Sequence, residues 1–469
     1  MIEIEISAVS PERLGGLLSP PRRAEFERAA DEARQLLAGR VVWNVNSTAR
    51  GGGVVELLRP MVAYARGVGV DARWVVVHGN PAFFAVTKRL HNWLHGDQGD
   101  GGALDADARR IYEETLLDSL GALGPRLRAR DVVIVHDPQP AGLIPSLVES
   151  GATVIWRCHV GMDTPNSVAR EAWAFLLPYV TAAQVCVFSR AAFAWDGLER
   201  DRIAVIAPSI DPMAPKNVEL APEVTRAALL RAGLLSGESS VAPVFVRQDG
   251  SPGRVERRAQ VVEDQTLRDG DPVVLQVSRW DALKDPKGVI QGFAEHVPAD
   301  TGAHLVYAGP DVESVADDPE GRHVLEQAIG LRAQLPREQR GRIHLASLPT
   351  RDSDENAIIV NALQRHATVV VQKSLAEGFG LTVAEAMWKG RPVVASRIGG
   401  IQDQIVHGES GLLLDARDLA GFGGAVTQLL ANPADAARMG ARAREQVRDR
   451  FLNTRNLIDY LRLIESLDA

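Results

Sequence analysis

The chain has 469 residues, of which 45% are hydrophobic and 24% are charged, and this length predicts two or three domains. Its formal net charge of -8 argues against a nucleic-acid-binding surface. Two cysteines cannot form a disulfide framework, and they indicate a reducing cytoplasm. The first residues lack the pattern of a signal peptide, and no apolar run approaches the roughly 20 residues of a membrane-spanning helix, so neither secretion nor a membrane span is predicted.

The first glycine loop follows a short buried strand. A helix is predicted over 22–38, a strand over 41–46 and a second helix over 54–68, with the letters S-T-A-R-G-G-G between the last two. Strand, glycine loop and helix together let a backbone approach an anion or a sugar closely. The loop is neither a Walker A loop nor a G-x-G-x-x-G fingerprint, and three glycines can also form a simple turn.

The next strand, over 72–78, is followed by a segment rich in aromatic, histidine and amide side chains, over 83–96. One interpretation is an amphipathic helix with Phe84, Leu90 and Trp93 in the core. The other is a wall of an acceptor-sugar site, because aromatic faces and amides suit sugars. The spacing alone does not separate the two.

Two further buried strands, over 131–136 and 153–159, carry polar residues at their carboxyl ends. Asp137 can hydrogen-bond sugar hydroxyls or cap the following helix. Arg157 and His159 end the second strand. A lone histidine is more often structural than functional, but this position at a strand end favours function. A helical hairpin is expected to begin at 175–180, before a strand over 183–188.

A strand over 203–206 runs into the turn P-S-I-D-P, which predicts a domain boundary. We therefore expect one domain over 1–212 and a second over 213–441. Within the second predicted domain, residues 234–270 form a polar, glycine-rich excursion, which indicates a hairpin or a flap. The sequence assigns this excursion no role.

The second half starts with a strand over 273–278, and two cations, Arg279 and Lys284, follow it. Fixed cations at a sheet edge would stabilise a departing diphosphate, whose negative charge grows in the transition state. Arginine can hold phosphate bidentately, and lysine acts as a point charge. Lys287 is a possible competitor of Lys284. Further strands are predicted over 303–309 and 343–346.

The most informative stretch runs over 369–400. A strand over 369–371 leads to the letters E-G-F-G at 377–380, a helix over 381–389 and a strand over 393–395. A helix start attracts anions through its unpaired amides and its dipole. Glu377 lies before the helix and Glu385 inside it. Two carboxylates on either side of an anion site suit a diphosphate with hydroxyls at both ends, which is the layout of a nucleotide sugar.

Three motifs together resemble the retaining GT-B glycosyltransferases, the superfamily of glycogen and sucrose synthases. They are E-G-F-G with its E-x7-E spacing, the closing glycines at 399–400, and S-R-x-D-x-x-K-x-x-x-G at 278–288. N-S-T-x-x-G-G-G at 46–53, F-F-x-V-T-K-x-x-H-N-x-L-H-G at 83–96 and W-R-C-H at 156–159 are similar to the trehalose-forming members of that superfamily and to the retaining trehalose phosphorylases.

The resemblance implies an α/β GT-B fold, with two doubly wound Rossmann-like domains, a cleft between them, and a last helix over 442–469 that returns to the first domain. It implies these catalytic residues: Glu377, Arg279, Lys284 and His159, the last near a primary hydroxyl. It implies these donor contacts: Gly51, Gly52, Gly53, Gly378, Phe379, Gly380, Leu381, Thr382 and, on the ribose, Glu385. The acceptor candidates are Asn46, Lys88, His91, Asn92, Asp137 and Arg157.

The reaction implied is transfer of glucose from UDP-glucose or ADP-glucose to glucose, giving α,α-trehalose with retention. No obligatory cofactor and no catalytic metal are expected, although magnesium can accompany the nucleotide, and a homodimer is the expectation by family. Three alternatives stay open: a trehalose phosphorylase, which is usually a longer chain; a transferase with another sugar acceptor; and a non-catalytic nucleotide-sugar sensor. The sequence fixes neither the donor base nor the direction of the reaction.

Overall fold

A computed structural model describes residues 1–49, 52–312 and 319–468. The chain forms two compact units. The first consists of Met1–Asp211 together with Asp449–Ala469, and the second of Pro212–Arg448.

The first unit alternates strands with helices. In chain order its elements are β1 (Ile2–Ile4), α1 (Pro20–Leu36), β2 (Val41–Asn46), α2 (Gly53–Gly67), β3 (Asp71–Val76), α3 (Pro81–Leu94), α4 (Ala106–Leu123), β4 (Val132–His136), α5 (Ile144–Glu149), β5 (Thr153–Cys158), α6 (Ser167–Val180), β6 (Val185–Phe188) and β7 (Ile203–Val205).

The second unit repeats this alternation, and the chain then returns to the first unit. Its elements are α7 (Pro222–Ala232), β8 (Val244–Val246), β9 (Pro252–Arg254), β10 (Gln260–Val262), β11 (Val273–Val277), α8 (Pro286–His296), β12 (His304–Pro310), α9 (Pro319–Gln334), α10 (Arg337–Arg340), β13 (Ile343–Leu348), α11 (Ser353–His366), β14 (Val369–Gln372), α12 (Leu381–Trp388), β15 (Val393–Ser396), α13 (Ile401–Gln404), β16 (Leu412–Leu414), α14 (Leu419–Ala431) and α15 (Pro433–Arg450); α16 (Asn453–Asp468) follows in the first unit.

Each unit contains a seven-stranded sheet whose order reverses once. The first sheet has the order β1-β3-β2-β4-β5-β6-β7 and the second β10-β13-β12-β11-β14-β15-β16. Only the edge strands β1 and β10 pair antiparallel within these described sheets. The order reverses between β2 and β4 and between β11 and β14. Such switch points, at the carboxyl ends of parallel strands, are where open α/β sheets bind ligands. The expected pair of doubly wound Rossmann-like halves is therefore confirmed.

Alternation along the strands builds a core on each face of the first sheet. Successive strand residues point to opposite faces, so Trp43 and Val45 join one apolar cluster and Val42 joins the other. The second cluster also takes up Tyr460 and Ile464 of α16. Burial of strands on both faces explains their nearly continuous apolar letters.

The C-terminal segment differs from the single helix expected over 442–469. α15 ends at Arg450 and α16 begins at Asn453. The helix breaks because the Ile210 amide donates to the Phe451 carbonyl at 2.8 Å, and Ile210 bridges Leu452 as a short parallel pair. A tertiary contact therefore overrides helix propensity at this point.

Two other expectations are corrected. The helix expected to begin at 175 begins at Ser167, because the Asn166 side chain accepts from the Ala169 amide and caps it. No helical hairpin follows it, since the chain enters β6 directly. The 234–270 excursion contains the hairpin β8–β9, while β10 joins the main sheet. Across the described residues, none of the helices has the length and apolar character needed to cross a membrane.

We expect the packing of α16 to be necessary for the stability of the first unit. Replacing the buried Ile464 with alanine should lower the free energy of unfolding by about 2–4 kcal/mol, because a cavity is left in the core. Ser466, exposed on the same helix, gives the matched control: alanine there should change stability by no more than about 0.5 kcal/mol. Chemical unfolding measures both, and equal effects would contradict the proposed packing role.

Candidate active site

The switch point of the second unit brings two loops to one sheet edge. β11 and β14 are neighbouring parallel strands, so the chain leaves both of them at the same edge. The loop after β11 carries Arg279 and Lys284, and the loop after β14 carries Glu377. Residues nearly 100 positions apart are thereby brought together.

Lys284 and Glu377 form an ion pair in this region. The Lys284 Nζ lies 2.7 Å from the Glu377 Oε2, and the two side chains are only 15% and 14% exposed. At this degree of shielding an ion pair is screened less by solvent than a pair on the open surface. The Ser374 Oγ lies 3.5 Å from the same carboxylate oxygen.

The backbone of Lys284 is held by a buried amide. The Gln276 Nε2 donates to the Lys284 carbonyl at 2.8 Å, and the Gln276 Oε1 accepts from the Lys373 amide at 3.0 Å. The Leu375 amide donates to the Leu283 carbonyl at 2.8 Å. The loop after β11 and the loop after β14 are therefore fixed to each other through their backbones.

Asp285 occupies a backbone conformation that few non-glycine residues adopt. Its φ is +51°, and such a position costs about 1–3 kcal/mol. Its Oδ1 accepts from the Gly288 amide at 3.0 Å and so caps α8. The buried Lys373 ammonium pairs with the Asp285 carboxylate. This pair holds the turn that carries Lys284.

The other two cations of this segment lie elsewhere. The Arg279 side chain is 67% exposed and pairs with the Asp281 carboxylate at 2.9 Å. Lys287, on α8, is exposed. The structure therefore brings Lys284, rather than its competitor Lys287, to Glu377, and it leaves Arg279 outside this pair.

The glycine loop before α12 requires its glycines. Gly380 has a φ of +85°, where a side chain would be strained. A Cβ on Gly399 would lie 1.7 Å from the Glu377 carbonyl oxygen, and the Gly400 amide donates to the Gly378 carbonyl at 3.0 Å. The two glycines at 399–400 thus allow the chain to pass against the loop of Glu377.

The start of α12 is the predicted anion-binding position. The buried Gln404 donates through its Nε2 to the Phe379 and Gly380 carbonyls, which orients this turn of backbone. Leu381 and Thr382 are the first residues of α12. The first amides of a helix have no acceptor within it, and the helix dipole favours an anion there.

A second buried amide connects this helix to both strands. The Thr382 Oγ1 donates to the Gln372 Oε1 at 3.0 Å. The Gln372 Nε2 donates to the Ser278 Oγ at 3.1 Å and to the Ser374 Oγ at 2.9 Å. Gln372 thereby fixes the start of α12 relative to the ends of β11 and β14.

Glu385 lies one turn into α12 and is only 2% exposed. The Lys216 Nζ lies 3.6 Å from its Oε1. The Lys389 Nζ donates to the Glu385 carbonyl and to the Asn217 Oδ1, both at 3.2 Å. Burial lowers the pKa of Lys389 to about 7, and the Glu385 carboxylate opposes this shift. The second carboxylate of the E-x7-E spacing therefore has its own cationic surroundings.

In the first unit, the switch point lies between β2 and β4. Gly52, with a φ of +83°, precedes α2, which begins at Gly53. Gly51 lies outside the described residues. Asn46, at the end of β2, is buried; its Oδ1 accepts from the Trp74 Nε1 at 2.8 Å and its Nδ2 donates to the Thr48 carbonyl at 2.7 Å. Asn46 thus shapes the start of the glycine loop.

One side-chain amide and two histidine rings form a row that leads to the carboxyl edge of this sheet. The His136 Nε2 lies 3.1 Å from the Asn44 Oδ1, and the His136 Nδ1 lies 3.3 Å from the His159 Nε2. The two rings are nearly parallel, at 11°. Burial, assisted by the Arg157 charge, lowers the pKa of His136 to about 3 and lowers the pKa of His159 well below its usual value.

Asp137 and Arg157 are both buried beside these rings. The Asp137 Oδ1 accepts from the His159 amide at 2.7 Å. Burial raises the pKa of Asp137 to about 7, while that hydrogen bond and the Arg157 charge oppose the shift. The Arg157 Nη2 donates to the Ser189 Oγ at 3.3 Å. The structure therefore places the predicted residues Asp137, Arg157 and His159 together.

The remaining acceptor candidates lie on α3. Lys88 is exposed, whereas His91 and Asn92 are half-buried. The amphipathic-helix interpretation is right for Leu90 and Trp93, which are buried, but wrong for Phe84, which is 43% exposed. Phe83 is buried in its place, because it stacks on Tyr112 of α4, a helix that the sequence pattern did not predict.

Several residues of the site were missed by the sequence analysis. They are the side chains that hold the predicted ones: Asn44, His136, Lys216, Asn217, Gln276, Gln372, Lys373 and Lys389. One signal was available, since Gln372 and Lys373 are polar letters directly after a β-branched strand. Among the described residues, no group of three or more histidine, cysteine or acidic side chains is placed to hold a metal ion.

Comparison with known proteins agrees with this architecture. Residues 44–195 match the model described as "Trehalose synthase, N-terminal domain", and residues 258–446 match "Glycosyl transferases group 1". The structure of a UDP-forming α,α-trehalose-phosphate synthase from Burkholderia xenovorans in complex with glucose-6-phosphate superposes with a TM-score of 0.67, at 14% identity, over 91% of this chain and 100% of that one. The fold and the matched models define a glycosyltransferase of the GT-B fold.

Two curated relatives are similar over nearly their whole length. The trehalose synthase of Rubrobacter xylanophilus is 38% identical, covering 95% of both chains, and that of Pyrococcus horikoshii is 34% identical, covering 93% of this chain and 92% of the relative. The chain belongs to the trehalose synthase family.

Breaking the Lys373–Asp285 pair should destabilise the second unit. Replacing Lys373 with methionine should cost about 3 kcal/mol, because Asp285 would keep an uncompensated, partly buried charge. Lys287→Met, which removes an exposed charge nearby, should cost no more than about 0.5 kcal/mol. Adding Asp285→Asn to the Lys373 variant should restore part of the loss, since asparagine is neutral and tolerates this backbone region. Chemical unfolding of the variants measures these differences; equal losses for Lys373 and Lys287 would refute the assignment.

Proposed function

We propose that the protein transfers glucose from a nucleoside-diphosphate glucose to free glucose and forms α,α-trehalose with retention at the donor carbon. The observation that carries this proposal is the Lys284–Glu377 pair, 2.7 Å apart and beside the start of α12. An ammonium and a carboxylate at an anion-binding helix start fit the two sides of the bond that breaks: leaving phosphate on one side, sugar on the other.

The donor contacts follow from this arrangement. Lys284 and the amides of Leu381 and Thr382 would bind the diphosphate, because they offer one positive charge and two hydrogen-bond donors. Arg279 is exposed and paired with Asp281, so it would have to leave Asp281 to join them. Glu385, buried one turn along α12, would accept hydrogen bonds from the ribose hydroxyls.

The reaction proceeds without a covalent enzyme intermediate. The bond between the donor C1 and the β-phosphate oxygen breaks, and a bond from C1 to the acceptor oxygen forms on the same face. The proton of the acceptor hydroxyl passes to the departing phosphate oxygen, which leaves with the nucleoside diphosphate. Glu377 stabilises the positive charge that develops on the sugar ring.

The first unit, taken by itself, has its own candidate sugar contacts. His159, Asp137 and the Gly52–Gly53 turn lie at the carboxyl edge of its sheet, at the switch point between β2 and β4 or on the adjacent strand. Asp137, with its pKa raised to about 7, can accept or donate a hydrogen bond near neutral pH. No step of this scheme needs a metal, although magnesium can accompany the nucleotide.

A screen of donors and acceptors tests the activity. UDP-, ADP- and GDP-glucose should each be incubated with glucose, with glucose 6-phosphate, or with water alone, and the products analysed for a non-reducing disaccharide. We expect trehalose and free nucleoside diphosphate with glucose. Disaccharide only with glucose 6-phosphate would move the protein to another acceptor class. Trehalose cleavage by inorganic phosphate without nucleotide would identify a phosphorylase, and donor binding without turnover would identify a sensor.

Removing the Lys284 charge tests the diphosphate contact. Lys284→Met should lower kcat by about 10²- to 10³-fold, because the leaving phosphate loses a preorganised cation. The matched control is Lys287→Met, which removes a charge three residues away and should leave kcat within about twofold. Steady-state kinetics with the best donor of the screen measures both. A normal kcat for the Lys284 variant would refute its role.

A further inference from the structure

The row Asn44–His136–His159 fixes which nitrogen of His159 carries a proton. The Asn44 Nδ2 donates to the Arg73 carbonyl at 3.3 Å. Its Oδ1 therefore faces His136, and an amide oxygen can only accept a hydrogen bond. The His136 Nε2, 3.1 Å away, must hold a proton in order to donate to it.

The protonation of His136 in turn determines which nitrogen of His159 carries a proton. A neutral imidazole has one protonated nitrogen and one lone pair, so the His136 Nδ1 holds the lone pair. It accepts from the His159 Nε2, 3.3 Å away, which must then carry the proton. The His159 Nδ1 is left with a lone pair. That atom is buried and has no hydrogen-bond partner among the residues that the structure describes.

The surroundings keep both rings neutral. Burial disfavours an imidazolium on either histidine, and the positive charge of Arg157, which lies opposite His136 in the register of β4 and β5, acts in the same direction. Three further titratable groups lie in this region: Asp137, whose Oδ1 accepts from the His159 amide, the Cys158 thiol of β5, and the Tyr460 hydroxyl of α16, which feels the charges of Arg157 and Asp137.

We propose that Asn44 and His136 are positioning residues that make His159 a hydrogen-bond acceptor, so that it binds a neutral sugar through a hydroxyl that donates to its Nδ1. This proposal rests on the proposed function for the identity of the sugar, but not for the tautomer. A buried lone pair without a partner costs free energy. A donating hydroxyl satisfies it, whereas a phosphate or carboxylate oxygen brings a second acceptor and is rejected.

The tautomer is measured on the wild-type protein without any substrate. With ¹⁵N-labelled histidine rings, a ¹H–¹⁵N correlation spectrum separates protonated nitrogens from those with a lone pair. His159→Gln, lacking the ring signals, assigns them. We expect the His159 Nδ1 to be of the lone-pair type between pH 6 and 9. A proton on Nδ1 would overturn the proposal, even if trehalose is formed. If the protein gives the expected spectrum but has no transferase activity, the proposed tautomer is supported and only the proposed function is refuted.

Asn44→Asp should reverse the direction of the hydrogen bond between His136 and His159 in a pH-dependent way. A carboxylate at this position raises the pKa of His136, and a protonated His136 donates from its Nδ1, which forces the His159 proton onto Nδ1. As the pH rises through the new pKa of His136, the original direction returns. The activity of this variant relative to wild type should therefore increase by about tenfold or more from pH 6 to pH 9.

Asn44→Leu is the matched control, because it removes the acceptor without adding a charge. Its activity relative to wild type should be reduced by a factor that does not change with pH. If the ring spectra of Asn44→Asp show the His159 proton on Nδ1 at low pH, a pH-independent activity ratio for that variant would indicate a merely structural role and would overturn the proposal. If Asn44→Asp does not fold, the ring spectra of the wild-type protein still decide the tautomer.

Sugar analogues test the hydroxyl. Monodeoxy and deoxyfluoro glucoses, used as acceptors and as the sugar of the donor, replace one hydroxyl at a time. At the position that His159 binds, fluorine and hydrogen should reduce kcat/KM equally, by about 10- to 100-fold, because neither can donate a hydrogen bond. That loss should be absent from His159→Ala, which has no side-chain acceptor for the hydroxyl. Fluorine accepted almost as well as hydroxyl at every position would overturn the proposed direction.

Discussion

The loops of the second unit are held in place because two buried glutamines must satisfy both ends of their amides. Gln276 donates to the Lys284 carbonyl and accepts from the Lys373 amide. Gln372 donates to serines at the ends of β11 and β14 and accepts from Thr382 at the start of α12. Each amide therefore connects a strand end to a loop, and a small displacement of either loop would leave a buried donor or acceptor without a partner.

Charge at the same edge is balanced rather than accumulated. Lys284 pairs with Glu377, Lys373 with Asp285, and Lys216 with Glu385. Each carboxylate offsets part of the cost of removing its lysine charge from water. The first unit differs, because burial and Arg157 keep His136 and His159 neutral and hydrogen bonds rather than ion pairs connect the row.

Elements whose letters have a single physical interpretation are predictable from the sequence. The strand over 41–46 is found at those residues, and the helix expected over 381–389 is α12, one residue shorter. The predictions were wrong where a distant part of the chain decided the outcome. Phe84 is exposed because Tyr112 of the unpredicted α4 takes up Phe83, and the last helix is broken because Ile210 pairs with its backbone. Neither partner is near in the sequence, so no local pattern carries the information.

By itself, the sequence determined the alternation of strands and helices, the glycine loops, and the cations and carboxylates that follow the strands. These depend on periodicity, backbone freedom and charge, which are local properties. Only the tertiary structure decided that Lys284 rather than Lys287 reaches Glu377, and that Asn44 and His136 form a hydrogen-bonded row with His159. Such choices depend on which strands are neighbours in a sheet and on which buried polar atoms must satisfy one another, and both are properties of the folded chain.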